Sequence, residues 1–209
     1  MLAVKNNNIE MIDLLLQTTS NKESLILESS HEGINAFMIA VMEDFIIATS
    51  KLLSAVKDLE KLIYTELTDG SNALMIAAKY NRNSMLKLIL GSVKNTDNLA
   101  QKRMHSGLTS LMIASGLGNA QIIHSIFDFV KDKNTLAKMT DSDGNTALTY
   151  AASGGHYSVI KALLERVTDK KILLNQTSQD GETAFSIAMK KNHYHLLPLL
   201  NPMGVNLMQ

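Results

Sequence analysis

The chain has 209 residues, with 20 basic and 20 acidic side chains, 45% hydrophobic residues and no cysteine. This composition is typical of a folded chain of one or two domains rather than a disordered one. The absence of cysteine excludes disulfides, zinc–cysteine sites, iron–sulfur clusters and cysteine nucleophiles. The formal net charge of zero argues against a protein that binds nucleic acid or anionic lipid, because such proteins carry a surplus of Lys and Arg.

Membrane insertion is not expected. No apolar run approaches the roughly 18 residues that a membrane-spanning helix needs. Residues 1–8 combine a short apolar stretch with a polar flank, and this is not the form of a signal peptide. We therefore expect a cytoplasmic protein, and the lack of cysteine agrees with a reducing compartment.

The sequence repeats itself every 37 residues. A glycine recurs at this spacing, with an alanine seven residues after it and a leucine eight residues before it. The glycines are Gly33, Gly70, Gly107, Gly144 and Gly181; the alanines are Ala40, Ala77, Ala114, Ala151 and Ala188; the leucines are Leu25, Leu62, Leu99, Leu136 and Leu173. Invariant columns without gaps indicate a stack of equivalent structural units.

Each unit is predicted to begin with two helices joined by a tight turn. The first helix is an apolar run, as in residues 73–78, and the second has apolar residues at three- and four-residue spacing, as in residues 159–164. Between them lies a column of residues that tolerate the left-handed conformation that ends a helix. Its members are Asn7, Asp44, Asn81, Gly118, Gly155 and Asn192.

A short capped turn is predicted after the second helix. Asn or Asp stands four residues before each invariant leucine, and both are strong helix N-caps. This column contains Asn21, Asp58, Asn95, Asp132 and Asp169. The chain then extends to the next glycine, and the Asn or Thr two positions beyond that glycine can cap the next helix. That second capping column contains Asn35, Asn72, Thr109, Thr146 and Thr183.

These columns resemble the ankyrin repeat. Residues 141–156 match the family pattern, Asp-x-x-Gly-x-Thr-Pro-Leu-His-x-Ala-Ala followed by Gly-His, and residues 179–188 match it next best. The resemblance covers the whole chain, but the period is 37 against about 33 for the family. Ala or Ser replaces the family's proline, and the family's histidine is Met38, Met75 or Met112 in three units. We expect these methionines to fill the core.

The resemblance implies an all-α ankyrin-repeat solenoid of five to six helix-turn-helix units, with short hairpin-like connections and an extra capped turn in each unit. We expect one array over residues 1–209, with approximate units 1–29, 30–66, 67–103, 104–140, 141–177 and 178–209. The first unit starts at its first helix, and residues 199–206 have the form of an exit from a repeat. Two interpretations stay open: a piece of a longer protein, or a short array with improvised caps.

No motif predicts catalysis, a cofactor or a metal site. His193 and His195 are two residues apart and point to different faces of a helix, so they are interpreted as structural or surface residues. Residues 116–120 resemble a dinucleotide loop, but no predicted strand precedes them. Residues 141–145 begin like a calcium loop that lacks its later glycine and glutamate. We therefore predict a protein that is not an enzyme and binds neither cofactor nor metal.

A partner-binding surface is predicted from the family resemblance. Stacked repeats form an extended concave surface, to which the family contributes hairpin tips and the ends of the first helices. The predicted binding residues are Ile34, Met42, Lys79, Tyr80, His105, Leu108, Leu117, Asp143 and Asn145. An exposed apolar cluster with a polar flank is typical of an interface, and we centre it on Tyr80, Leu108 and Leu117. The alternative is that the apolar members pack on neighbouring hairpins.

The sequence thus predicts a non-enzymatic protein–protein interaction module, a scaffold or adaptor. Its stretched, Lys/Asn/Met-rich repeats are similar in style to ankyrin arrays that intracellular bacteria secrete, which extends the prediction to an effector in a host cytosol. One alternative is the substrate-recognition array of a larger enzyme whose catalytic domain lies outside this chain. Another is a structural array that associates end to end. Nucleic-acid binding is not predicted, since no basic stripe is present.

Overall fold

The computed structural model describes residues 1–201, and this part of the chain contains 17 α-helices and one 3₁₀ helix. The helices come in groups of three, which we call inner, outer and third helices. The inner helices are α1 Leu2–Lys5, α4 Ala36–Met42, α7 Ala73–Lys79, α10 Ser110–Gly116, α13 Ala147–Gly154 and α16 Ala184–Lys190. The outer helices are α2 Ile9–Thr18, α5 Ile46–Ala55, α8 Asn83–Gly91, α11 Ala120–Phe129 and α14 Tyr157–Arg166.

The third helices are α3 Lys22–Leu27, α6 Leu59–Ile63, α9 Thr96–Ala100, α12 Lys133–Lys138 and α15 Lys170–Asn175. The predicted capped turn is therefore a helix of five or six residues. In the sixth repeat a 3₁₀ helix, Tyr194–Leu196, leads into α17, Leu197–Leu200, in the place of an outer helix. Of the predicted exit segment 199–206, residues 202–206 lie outside the described part of the chain.

The architecture is a two-row helical solenoid. Successive inner helices pack side by side in one row, and successive outer helices pack in a second row behind them. The core lies between the rows and runs along the array, with Phe37 and Phe127 fully buried in it. Met38, Met75 and Met112 are each at most 1% exposed, which confirms that this methionine column fills the core.

The turn between inner and outer helices is left-handed in every repeat. All six members of the predicted column, Asn7, Asp44, Asn81, Gly118, Gly155 and Asn192, have φ between 49° and 77°. Asn, Asp and Gly are the residues that adopt this conformation at little cost. The prediction of a tight turn at this column is confirmed.

Side-chain caps start most of the short helices. All five members of the Asn/Thr column after the glycine accept a backbone hydrogen bond at the start of an inner helix. Asn21, Asp58, Asn95 and Asp132 cap the third helices in the same way. Asp169 does not, because its carboxylate pairs with Lys138 Nζ at 3.0 Å instead. The predicted capping column is therefore correct in four of its five positions.

A tight hairpin connects each repeat to the next. In the hairpin of Gly107, Met104 N–H donates to Leu108 O at 2.9 Å and Gly107 N–H donates to Met104 O at 2.9 Å. Consecutive hairpins stack through single backbone bonds, such as Ser142 N–H to Ser106 O at 3.0 Å. Gly107 has φ +84°, and a Cβ on it would lie 2.8 Å from Asp141 Cα. Glycine is thus required both by the turn and by the stacking of the next hairpin.

Candidate protein-binding surface

Hairpin tips and inner helices share one side of the solenoid, which we call the inner face. One cleft between the fifth and sixth repeats demonstrates this. It is lined by Asn145 and Asp180 of two hairpins together with Tyr150 of α13 and Ile187 of α16. Lys191, directly after α16, lines the same cleft. Because the columns repeat every 37 residues, the equivalent positions of the other repeats belong to the same face.

Tyr80 and Leu117 are the exposed apolar residues at the middle of the inner face. They follow α7 and α10 as the C-cap residues of adjacent inner helices, in the column of Lys191. Tyr80 is 46% exposed and Leu117 is 52% exposed. Lys79 Nζ lies 5.9 Å from the centre of the Tyr80 ring, within reach of a cation–π interaction. The two side chains thus present apolar surface beside a positive charge.

Three of the predicted apolar site residues are only partly exposed. Ile34, Met42 and Leu108 are half-buried and pack against the core. Ile34 and Leu108 lie in hairpins, and each hairpin is partly covered by its neighbours through the backbone bonds that stack them. Of the three residues on which the sequence centres the predicted surface, Tyr80 and Leu117 are exposed and Leu108 is half-buried.

The polar members of the predicted set have different surroundings. His105 and Asp143 are exposed at hairpin tips, and their backbones join neighbouring hairpins. Asn145 is half-buried, and its N–H donates to Asp141 Oδ1 at 2.8 Å. Asn145 therefore stabilises its own hairpin, whereas His105 and Asp143 are exposed to solvent.

Asp141 and Tyr150 connect a hairpin to an inner helix on this face. The Tyr150 hydroxyl donates to Asp141 Oδ2 at 2.5 Å, and the other carboxylate oxygen accepts the backbone N–H of Asp143 at 2.9 Å. Burial, followed by the hydrogen bond to Asp141, raises the pKa of Tyr150 above its usual value. The phenol therefore stays neutral and ties α13 to its hairpin.

A carboxylate of the sixth hairpin is held by its neighbours. Lys190 Nζ hydrogen-bonds Glu182, and the Ser186 hydroxyl donates to the same carboxylate at 2.6 Å. The Lys190 hydrogen bond, and after it the Ser186 hydrogen bond, lower the pKa of Glu182. Glu182 is therefore a carboxylate near neutral pH, held between Lys190 and Ser186.

Two apolar features of the protein surface were not predicted from the sequence. One is a column of the inner helices in which Ile39, Ile113, Tyr150 and Ile187 are half-buried along the inner face. Its 37-residue spacing was a usable signal. The other is Ile46 and Ile47 at the start of α5, exposed beside Phe45 in an apolar cleft. No sequence signal separated these two from the buried apolar residues of the same helix.

Comparison with known protein families decides the classification. A family model described as ankyrin repeats (three copies) matches residues 1–101, 74–173 and 111–208. The chain belongs to the ankyrin repeat family. No curated protein gives a significant match to it. Ankyrin repeats generally mediate protein–protein interactions, and the inner face is the surface of this array on which hairpins and inner helices meet.

The histidines of the last two ankyrin repeats bind backbone carbonyls. His156 Nε2 lies 3.0 Å from Gly116 O, and His193 Nε2 lies 3.1 Å from Ser153 O. His195 Nε2 lies 3.1 Å from Gly155 O. A carbonyl oxygen only accepts, so each ring nitrogen donates a proton. His193 and His195 therefore each donate a separate hydrogen bond to the preceding repeat.

Across residues 1–201, no three His, Asp or Glu side chains are grouped so that they could hold a metal ion. In the same range, no helix has both the length and the apolar character to cross a membrane.

Proposed function

We propose that this ankyrin array is a non-enzymatic protein-binding module whose inner face holds a partner protein around Tyr80 and Leu117. The observation that supports this most is the exposure of these two apolar side chains on adjacent inner helices. Large apolar and aromatic groups at the centre of a surface are the usual source of binding energy in protein interfaces.

The residues around Tyr80 and Leu117 also support a protein-binding interface. Ile113 on α10 adds half-buried apolar surface, and Lys79 adds a positive charge at the Tyr80 ring. Towards the sixth repeat the face becomes polar, with exposed Asp180 and Lys191 of opposite charge. A partner that fits would place an apolar segment against the middle repeats and polar side chains against the last two.

The test uses a double variant and a matched control. Tyr80→Ala/Leu117→Arg removes the apolar centre of the inner face. Tyr157→Ala/Ile172→Arg makes the corresponding changes, tyrosine to alanine and an aliphatic residue to arginine, at exposed side chains of α14 and α15, away from the proposed centre. Both variants should keep the helical content and unfolding midpoint of the wild type.

The purified wild type is immobilised, eukaryotic cytosol is passed over it, and retained proteins are identified and then titrated as purified partners. We expect the control to bind a retained protein as the wild type does, and Tyr80→Ala/Leu117→Arg to weaken binding roughly 30-fold or more, as for a hot spot of about 2 kcal/mol or more. Equal affinity of all three forms would contradict the proposed surface.

A narrower role extends this proposal. The stretched, Lys/Asn/Met-rich repeats support a secreted bacterial effector that acts in a host cytosol, with a scaffold or adaptor activity there. A translocation reporter fused to the chain in an intracellular bacterium tests this, because a chain that stays in the bacterium is no effector. The alternative, a recognition array of a larger enzyme, requires a catalytic domain in the same reading frame.

A second candidate function is end-to-end self-association. It is favoured by the apolar side chains that the first repeat exposes, among them Met1, Met11 and Leu15. Molecular mass in solution as a function of protein concentration tests it. A mass that stays at one chain over the whole accessible concentration range would contradict it.

A further inference from the structure

The first repeat exposes side chains whose equivalents are buried in all later repeats. Met11 is 43% exposed, whereas the five residues in its column are 0% exposed. Those five are Ala48, Met85, Ile122, Val159 and Leu196. Leu15 is 38% exposed, whereas Leu52, Ile89, Ile126, Leu163 and Leu200 in its column are at most 3% exposed. These two columns are therefore the ones by which a repeat packs on the repeat before it. We call Met11 and Leu15, together with the adjacent and 52% exposed Leu14, the leading face.

The sixth repeat has the complementary feature. Met189 is 43% exposed, whereas Val41, Ala78, Ser115 and Ala152 in its column are 0% exposed. Phe185 and Leu197 are half-buried, although each equivalent residue of the earlier repeats is fully buried. These columns are the ones by which a repeat packs on the repeat after it. We call Phe185, Met189 and Leu197 the trailing face.

Faces built from these same columns pack against each other at the internal boundaries of the array. The register of those boundaries is visible in ion pairs between neighbouring outer helices. Lys51 Nζ of α5 lies 2.7 Å from Asp13 Oδ1 of α2, and Arg166 of α14 pairs with Asp128 of α11. Both pairs join residues that are 38 positions apart.

We propose that copies of this chain stack head to tail, with the leading face of one copy on the trailing face of another in the register of the internal repeats. The inference rests on the self-association stated under the proposed function, and it adds the partner and the geometry. Continuing the 38-residue offset across six 37-residue repeats places Leu14 of one copy beside Pro198 of the next. Both side chains are exposed, and both are apolar, so no charge is buried at this point of the contact.

Head-to-tail contacts differ from a symmetric dimer in the assemblies they form. A heterologous contact leaves one leading and one trailing face free on every assembly, so that growth continues beyond two chains. A symmetric contact between two leading faces would stop at the dimer. The mass distribution at increasing concentration therefore separates the two arrangements before any residue is changed.

The decisive experiment uses the absence of native cysteine, since any introduced cysteine is then the only reactive thiol. Leu14→Cys and a size-tagged Pro198→Cys protein are mixed and treated with a short bis-maleimide. The head-to-tail register is expected to yield the mixed cross-link as the main product. Lys57→Cys, at an exposed site of the second repeat outside the leading and trailing faces, serves as the control for random collision.

A pair of charge variants tests the same contact without cross-linking. Met11→Glu should abolish the rise in mass, because it would bury a carboxylate against the trailing face. Gln17→Glu adds the same charge to an exposed position of α2 and should leave the association unchanged. Both variants should retain the wild-type unfolding midpoint.

Each outcome decides a different question. Growth beyond two chains with the Leu14–Pro198 cross-link supports head-to-tail stacking. A mass that stops at two chains, with Leu14→Cys cross-linking to itself, overturns the register but keeps self-association. A chain that stays monomeric at every concentration overturns both head-to-tail stacking and self-association. The proposal of partner binding at Tyr80 and Leu117 does not depend on this result.

Discussion

The ring nitrogen Nε2 of His156 lies 3.0 Å from the carbonyl oxygen of Gly116, the last residue of the preceding inner helix α10. Other repeats have a side-chain donor in the same column as His156. His193 contacts Ser153 O at 3.1 Å, Arg82 Nε donates to Met42 O at 2.9 Å, and Asn119 donates to Ala78 O at 3.4 Å. A side-chain donor at this column therefore satisfies a terminal helix carbonyl of the previous repeat, a group without an intrahelical partner.

His156→Ala should lower the free energy of unfolding by about 1 kcal/mol, the typical net value of one hydrogen bond. His156→Asn should lose less, because Asn119 makes the equivalent bond with an amide. His31→Ala, at an exposed hairpin tip, is the control and should have no measurable effect. Urea titrations followed by circular dichroism provide the measurement. Equal stability of His156→Ala and wild type would contradict the structural role of this histidine.

Gly107→Ala should be more destabilising than Gly181→Ala. Both glycines have positive φ, +84° and +74°, so both substitutions carry the cost of a left-handed alanine, about 1–2 kcal/mol. A Cβ on Gly107 would also lie 2.8 Å from Asp141 Cα, whereas a Cβ on Gly181 meets nothing within 4 Å. The difference should be about 1–3 kcal/mol, as for other overpacked sites. Thermal and urea unfolding of the two variants measure it, and equal losses would show that hairpin stacking is looser than described.

Asn35→Thr should destabilise the fold, and Asn72→Thr should not. Either threonine can keep the N-cap, as Thr109, Thr146 and Thr183 do. Asn35 Nδ2 also donates to Thr65 Oγ1 at 3.0 Å, a bond that threonine at position 35 cannot make. Asn72 Nδ2 is buried and has no hydrogen-bond partner in the described residues.

Asn35 and Asn72 differ because the hydrogen-bond acceptor of Asn35 has no counterpart in the next repeat. The residue equivalent to Thr65 is Lys102, whose ammonium group can only donate. Removing a buried amide without a partner relieves a desolvation cost of about 1–3 kcal/mol, so Asn72→Thr should be neutral or stabilising. Asn35→Thr should cost about 1 kcal/mol. Unfolding midpoints in urea compare the two, and equal changes would contradict this assignment of the two amides.

Tyr150→Phe should alter how stability depends on alkaline pH. The pKa of Tyr150 is raised in the folded protein, so the unfolded chain releases this proton first, near pH 10. The contribution of Tyr150 is therefore fully present below about pH 10 and declines as the pH rises further. Wild type should exceed Tyr150→Phe in stability by about 1 kcal/mol at pH 7, and the gap should narrow above pH 10.

The control for that experiment is Tyr157→Phe, an exposed tyrosine of α14. Its difference from wild type should be small, because Tyr157 is exposed. Urea unfolding at several pH values between 7 and 11 provides the comparison. A gap for Tyr150→Phe that stays constant through pH 11 would show that the Asp141 contact does not hold the phenol proton.

Local features of each repeat were predictable from single residues. The six left-handed turn residues and the inner-helix caps follow from φ preferences and from hydrogen bonds between residues three apart, so a sequence contains what is needed to infer them. Asp169 is the exception among the caps. Lys138, 31 residues earlier, competes for its carboxylate, and that competition is visible only in the folded chain.

The binding surface was predictable only in part. The C-cap column that contains Tyr80 and Leu117 is exposed as expected, because a residue at the end of an inner helix projects beyond the row. Ile34, Met42 and Leu108 were expected to be exposed as well, yet neighbouring structure half-buries them. Apolar character alone does not distinguish these two cases.

The 37-residue period, the helices and their caps can be inferred from the sequence, because each depends on residues close together in the chain. Which equivalent residues are covered depends on tertiary packing and cannot be inferred in this way. Met11 and Ile122 occupy the same column, and one is 43% exposed while the other is 0% exposed. The physical reason is that burial in a solenoid is supplied by the neighbouring repeat, and the first repeat has no described neighbour on that side.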